Sequence, residues 1–199
     1  MRARLALQCA AIRCELREVV LRNKPAEMVG ISTKATVPVL QLPSGEVIDE
    51  SLDVMFWALT QADPHNWLNA EPEATRQLVQ RNDSSFKTDL DHYKYHVRYP
   101  EHPQSHYRDR AQEFLAILET RLGQHGGIGL VDARITFADI AIFPFIRQFS
   151  RVDPDGFSNS RYTSVKQWLQ GLEDSAGYQA VMKKYPPWSN GDAITFFAG

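Results

Sequence analysis

Cysteine is scarce in this chain of 199 residues. Cys9 and Cys14 are too few for a disulfide scaffold and suit a reducing compartment. Their spacing is not Cys-x-x-Cys, and Cys9 falls on the apolar face of a helical pattern, where a free cysteine is usually a small buried hydrophobe. Neither is assigned catalysis. Charge of one sign is also missing: 22 Lys and Arg against 24 Asp and Glu leave a formal charge of -2 and a pI near 6.3. That balance gives no electrostatic ground for a nucleic acid or an anionic membrane as partner. The first 61 residues carry seven basic and seven acidic side chains, so the average hides no charged half. No run is long and apolar enough to span a bilayer, and Met1-Arg2-Ala3-Arg4 leads into too short an apolar run for a signal peptide. Cytoplasmic residence is the expectation. Internal repeats and low-complexity tracts are absent from the sequence, and the length is enough for one large or two small cores.

What the chain does have is a pair of short signals at fixed separation. Val37-Pro38 opens a strand-like run to Leu42, Pro43-Ser44-Gly45-Glu46 reads as a tight turn, and the next run closes at Glu50-Ser51 before an apolar helix. The two runs form a hairpin. A proline fits the start of a strand, where its missing N–H is harmless, and a cis bond there would turn the Val37 backbone outward to pair with an extended ligand. Glu50 offers a carboxylate for an amine. Ser51, at a helix start, offers a hydroxyl and backbone N–H groups for a carboxylate. Together these features describe a peptide-like ligand with amino-acid ends.

On these residues the segment resembles the thioredoxin-like half of the glutathione transferase superfamily, and most closely its omega-like, cysteine-dependent branch. The resemblance implies a cis bond at Pro38, pairing of the Val37 backbone with the cysteinyl unit of glutathione, and Glu50-Ser51 on the γ-glutamyl end. Lys24, in Asn23-Lys24-Pro25, matches the lysine that reaches the glycyl carboxylate. Met1 to Leu7 is similar to the segment that follows the family's Cys-Pro motif. The first strand and nucleophilic cysteine would therefore precede Met1, and a working protein that starts upstream is the expectation. No catalytic residue is assigned within the chain.

Along the chain, Met1, Leu5, Cys9 and Ile12 recur at helical spacing, Glu15 to Leu21 is strand-like, and Pro25 to Ile31 is a short helix or turn. Arg2 and Arg4 read as solvent-facing residues of the first helix. After Ser51, the stripe Leu52, Met55, Phe56 and Leu59 marks a helix with one face on a sheet. Residues 62–72, with Pro64 and Pro72, read as a linker, which divides the chain into 1–61 and 73–199. Beyond it all is helix: a long polar and aromatic one from Glu73 to Tyr99, another through Ala111, Leu115, Leu118 and Leu122 ending at Gly123 and Gly126-Gly127, and a buried one headed by Thr136-Phe137-Ala138-Asp139. That last pattern is a capping box, with Pro144 predicted to kink the helix it heads. A similar box occupies this place in glutathione transferases, which extends the resemblance to about Tyr185. The fold class is thus α/β plus all-α: a glutathione transferase fold with an N-terminally truncated thioredoxin-like domain and a helical C-terminal one.

His92 and His96 stand four apart with His102 and His106 downstream, yet no acid sits between them at zincin spacing, and no metal is expected. Tyr93, Tyr95 and Tyr99 are candidate walls of a second-substrate pocket, as the resemblance implies. Trp188 and Phe196-Phe197 offer to pack the tail on the body. Function follows from the resemblance: glutathione as cosubstrate, thiol transfer or conjugation to a small hydrophobic, electrophilic or disulfide substrate, and a homodimer. The alternative is a non-catalytic binding or assembly module on the same fold.

Overall fold

The structure is a computed structural model and describes residues 1–198. The chain divides into two compact units, residues 1–65 with 176–199, and residues 66–175.

In the first unit, α1 (Arg2–Cys9) buries Ala3, Leu5, Ala6 and Leu7. It packs against α3 (Ser51–Gln61), which buries Val54, Met55, Ala58 and Leu59. Alanines on both sides allow the close approach. The inward stripe of α3 is therefore rotated from the expected one: Phe56 is largely exposed, and Val54 and Ala58 take its place. α1 ends in a Schellman motif. Ile12 N–H donates to Leu7 O and Ala11 N–H to Gln8 O, with Ala11 at φ +51° where glycine is the usual residue.

The strand expected over Glu15 to Leu21 shrinks to β1 (Cys14–Glu15). After it come α2 (Ala26–Ile31), and then β2 (Leu40–Gln41) and β3 (Val47–Ile48), a hairpin turned at Gly45 with φ +90°. β1 pairs not with that hairpin but with β4 (Phe196–Phe197), antiparallel, Cys14 opposite Phe197. Leu16 N–H donates to Thr195 O and Trp188 N–H to Glu18 O, so the tail satisfies backbone groups at Leu16 and Glu18 beyond the strand pair.

That tail corrects two expectations. Arg2 is buried rather than solvent-facing, and Arg4 is half-buried, bonded to Glu18 at 2.6 Å and lying beside the rings of Tyr185 and Phe197. Residues 176–199, expected with the helical domain, also group with the first unit: α10 (Ala176–Val181) packs Tyr178 and Val181 onto α1, and Phe197 is buried.

The second unit is helical. The long helix expected from Glu73 to Tyr99 is interrupted. α4 (Pro72–Arg81) runs into a π-helical turn, Asn82–Phe86, then α5 (Lys87–Lys94) and a 3₁₀ turn, His96–Arg98. The wider turn carries Phe86 into the core, 5.0 Å from Phe114, and buries Asn82 with its Oδ1 unpaired. α6 (Gln104–Gln124) packs on α5 and on α9 (Thr163–Glu173) through Phe114, Leu115, Leu118 and Leu122. It passes through Gly123 and closes at Gly127, whose N–H donates to Leu122 O. α7 (Phe137–Ser150) is buried along most of its length and remains one helix through Pro144. α8 (Pro154–Ser158) is a short helix capped by Asp153.

The head of α7 is the best-connected polar point of this unit. Asp139 Oδ2 accepts from Thr136 N–H and Thr136 Oγ1, both at 2.8 Å, while Oδ1 accepts from Leu130 N–H and Trp168 Nε1, both at 2.9 Å. Burial pushes its carboxyl up to about 6, and those donors oppose the rise.

Candidate functional site

The hairpin register decides which candidate residues meet. Leu40 faces Ile48 and Gln41 faces Val47. Pro38 lies two residues before Leu40 and Glu50 two residues after Ile48, so both stand beyond the same end of that ladder. Val37-Pro38 and Glu50-Ser51 therefore share one end of the hairpin. The Val37–Pro38 peptide bond is cis, both residues lie outside the two-residue ladder, and Val37 is about half exposed. Glu50 is the residue before α3, with an extended backbone, and Ser51 is the first helical residue. The Glu50 carbonyl accepts from Val54 N–H at 3.0 Å, which fixes the helix start and leaves its early N–H groups at the same end as the Glu50 carboxylate. That side chain is 59% exposed, so a cation from solution can reach it. Lys24 is half-buried between the Val20–Asn23 bridge and α2.

Three further residues belong to this end and escaped sequence reading. Lys34 Nζ donates to Glu50 Oε1 at 2.7 Å and to Asp49 Oδ1 at 3.1 Å. Buried Ser32 donates its hydroxyl to Asp49 Oδ2 at 2.8 Å. Hydrogen bonds from Ser32 and then Lys34 hold the Asp49 carboxyl below its ordinary value, and the bonds to Glu50 and Asp49 raise the Lys34 ammonium. The chain reverses at Ala35, φ +49°, whose N–H donates to Ser32 O, and this turn presents residues 32 and 34 to residues 49 and 50. The missed signal was charge opposite charge: the hairpin register places whatever precedes Val37 near whatever follows Ile48.

Chemically, this end offers an exposed carboxylate for an ammonium, a helix N-terminus with a hydroxyl for a carboxylate, and a strand start outside the ladder for an extended backbone. Comparison with known families finds the glutathione S-transferase N-terminal domain over residues 1–67 and the C-terminal domain over residues 73–171. The chain belongs to the glutathione S-transferase superfamily.

Solved structures agree on the fold. Glutathione transferase Omega 3C from Trametes versicolor is 17% identical, with 93% of this chain and 84% of that one covered at a TM-score of 0.74. Glutathione S-transferase 1-6 from Anopheles dirus species B is 16% identical over 89% and 86%, also at 0.74. Gtt2 from Saccharomyces cerevisiae is 15% identical over 91% and 94%, at 0.69. Comparison with curated protein sequences finds no match. The architecture is accordingly a thioredoxin-like N-terminal domain with few strands and a helical C-terminal domain.

Within that glutathione transferase fold, the other candidates separate. Tyr93, Tyr95 and Tyr99 do not form one wall. Tyr93 is buried against Phe149 at 5.4 Å, Tyr95 is exposed beside Lys94 and Arg98, and the Tyr99 ring lies tilted against His92 at 3.9 Å. The break after Lys94 is the reason, since it rotates everything beyond it off the helical face. His102 and His106 stack on each other at 4.1 Å. Among the described residues, no group of three or more His, Cys, Asp or Glu is placed to hold a metal ion, and no helix is long and apolar enough to cross a membrane. Both thiols are free. Burial pushes Cys9 up to about 11 and raises Cys14 as well, so both stay protonated near neutral pH.

Proposed function

We propose that this chain binds glutathione at the open end of its hairpin and serves thiol transfer or conjugation to a small electrophilic or disulfide substrate. The observation that supports this reading is the position of Val37 and Pro38 just before one strand of the hairpin and of Glu50 and Ser51 just after the other. In this reading Glu50 accepts the γ-glutamyl ammonium. Ser51 and the first N–H groups of α3 hold its carboxylate, the Val37 backbone pairs with the cysteinyl unit, and Lys24 meets the glycyl carboxylate. Glutathione, when bound, supplies the reacting thiol. Cys9 and Cys14 do not, because burial keeps them in the unreactive thiol form. The working protein in this proposal is a cytoplasmic homodimer, with residues 1–61 carrying the ligand, residues 62–72 as a linker, and a small hydrophobic or disulfide compound as second substrate.

Calorimetric titration with glutathione tests the assignment. Glu50→Ala and Ser51→Ala each remove a charged or helix-end contact and are expected to weaken binding by about 10-fold or more, the size of a hydrogen bond to a charged group. Their melting curves should stay close to that of the unsubstituted protein, since neither side chain is buried. Unchanged affinity in both variants would remove the assignment. Binding without turnover of any thiol substrate would favour the binding-module alternative.

A further inference from the structure

The ion triad at the hairpin end is asymmetric, and the asymmetry has a functional reading. Lys34 bridges two carboxylates, but its two contacts differ in footing. Asp49 is the fixed one: its side chain is 24% exposed and its second oxygen is tied to the buried Ser32 hydroxyl at 2.8 Å. Glu50 is the loose one, 59% exposed and paired to Lys34 alone among the contacts at this end. A cation arriving from solution therefore reaches Glu50 more readily than Asp49. Lys34 Nζ, 2.7 Å from Glu50 Oε1, already stands at ammonium-to-carboxylate distance from it.

We propose that Lys34 is an internal stand-in for the ligand's ammonium, which a ligand with a free amine must displace from Glu50, and that Lys34 thereby sets selectivity between ligands with and without that amine. This deepens the glutathione reading and rests on it. On displacement Lys34 remains anchored through Asp49, so Glu50 exchanges one ammonium for another without being left unpaired. The lost Lys34 contact offsets part of the new ion pair, and the amine of glutathione then contributes less to affinity than a bare carboxylate would give it. The Ala35 turn, with its bond to Ser32 O, keeps Lys34 within reach of both acids.

The test compares glutathione with glutaryl-cysteinylglycine, which differs from it only in lacking the α-amine, by calorimetry at low salt on the protein and on Lys34→Gln and Lys34→Arg. Removing the competitor in Lys34→Gln is expected to tighten glutathione by about two- to fivefold, the scale of an exposed ion pair, and to leave the des-amino peptide unchanged. Lys34→Arg keeps a cation between Asp49 and Glu50 and should restore the original ratio. The gain in Lys34→Gln should shrink as salt is raised. A general structural effect would move both peptides together, and that result overturns the proposal, as does weaker glutathione binding by Lys34→Gln, which would make Lys34 a direct ligand contact. If neither the protein nor Lys34→Gln binds glutathione at all, the glutathione reading itself fails and the proposal goes with it.

Discussion

Asp139 shows how much one residue can be read from sequence and where that reading stops. The Thr136-x-x-Asp139 spacing announces a capping box, and the box is there. The sequence does not show that Leu130 N–H and Trp168 Nε1 also donate to the same carboxylate, because both partners are brought to it by tertiary packing. Asp139→Ala thus orphans donors from three residues. It is expected to cost about 2–4 kcal/mol in urea unfolding, more than the ~1 kcal/mol of a simple cap. The pH dependence has a definite sign. The folded carboxyl titrates at about 6, above its unfolded value of 3.8, so this group favours folding most below pH 4 and that contribution is lost as pH rises through 6. Relative to Asp139→Asn, which does not titrate, the unsubstituted protein should lose stability on the order of 3 kcal/mol between pH 4 and pH 7. A pH-independent difference between the two would refute the shift. Ala11 makes the opposite case. Its left-handed φ is invisible in the Ala10-Ala11 sequence, and Ala11→Gly should stabilise the first unit by about 0.5–1 kcal/mol, read as a rise in the urea midpoint.

Elements with a strong local signal are legible in this chain, and those made by distant partners are not. The hairpin, α3, α6 and α7 follow from turn residues and apolar spacing. The strand expected after Glu15 fails because its apolar residues Val20 and Leu21 are exposed, and its partner is a segment at the far end of the chain. That partner is held by aromatic residues facing arginines: Arg13 lies 3.7 Å from the centroid of Phe196, and Arg17 lies 4.5 Å from that of Trp188. Only Phe197 of the strand pair is buried, so the two phenylalanines should behave differently. Phe197→Ala is expected to cost about 3 kcal/mol, and Phe196→Ala no more than about 1 kcal/mol, the scale of an exposed cation–π contact. Equal losses, measured by denaturant unfolding, would mean that the tail is not seated as described. The π-helical turn at Asn82–Phe86 was equally hidden, since nothing in Asn-Asp-Ser-Ser-Phe departs from a helical pattern.

For the molecule as a whole, the site and the fold support one another through the first unit. The residues proposed to hold glutathione all lie within residues 24–51, and four of the five, all but Lys24, flank the outer end of the hairpin ladder. The resemblance names that set. It did not reveal Lys34, Asp49 and Ser32, whose roles depend on how residues 32–36 reverse. A ligand held only by the folded first unit stabilises it by mass action, about 2.7 kcal/mol at a concentration 100 times its Kd. The most direct measurement is a backbone amide NMR titration with glutathione. The account predicts saturable shifts concentrated at Lys24, Lys34, Val37, Glu50 and Ser51, with the amides of residues 66–175 largely unmoved by the tripeptide. Shifts confined to residues 66–175, or none at millimolar glutathione, would contradict it.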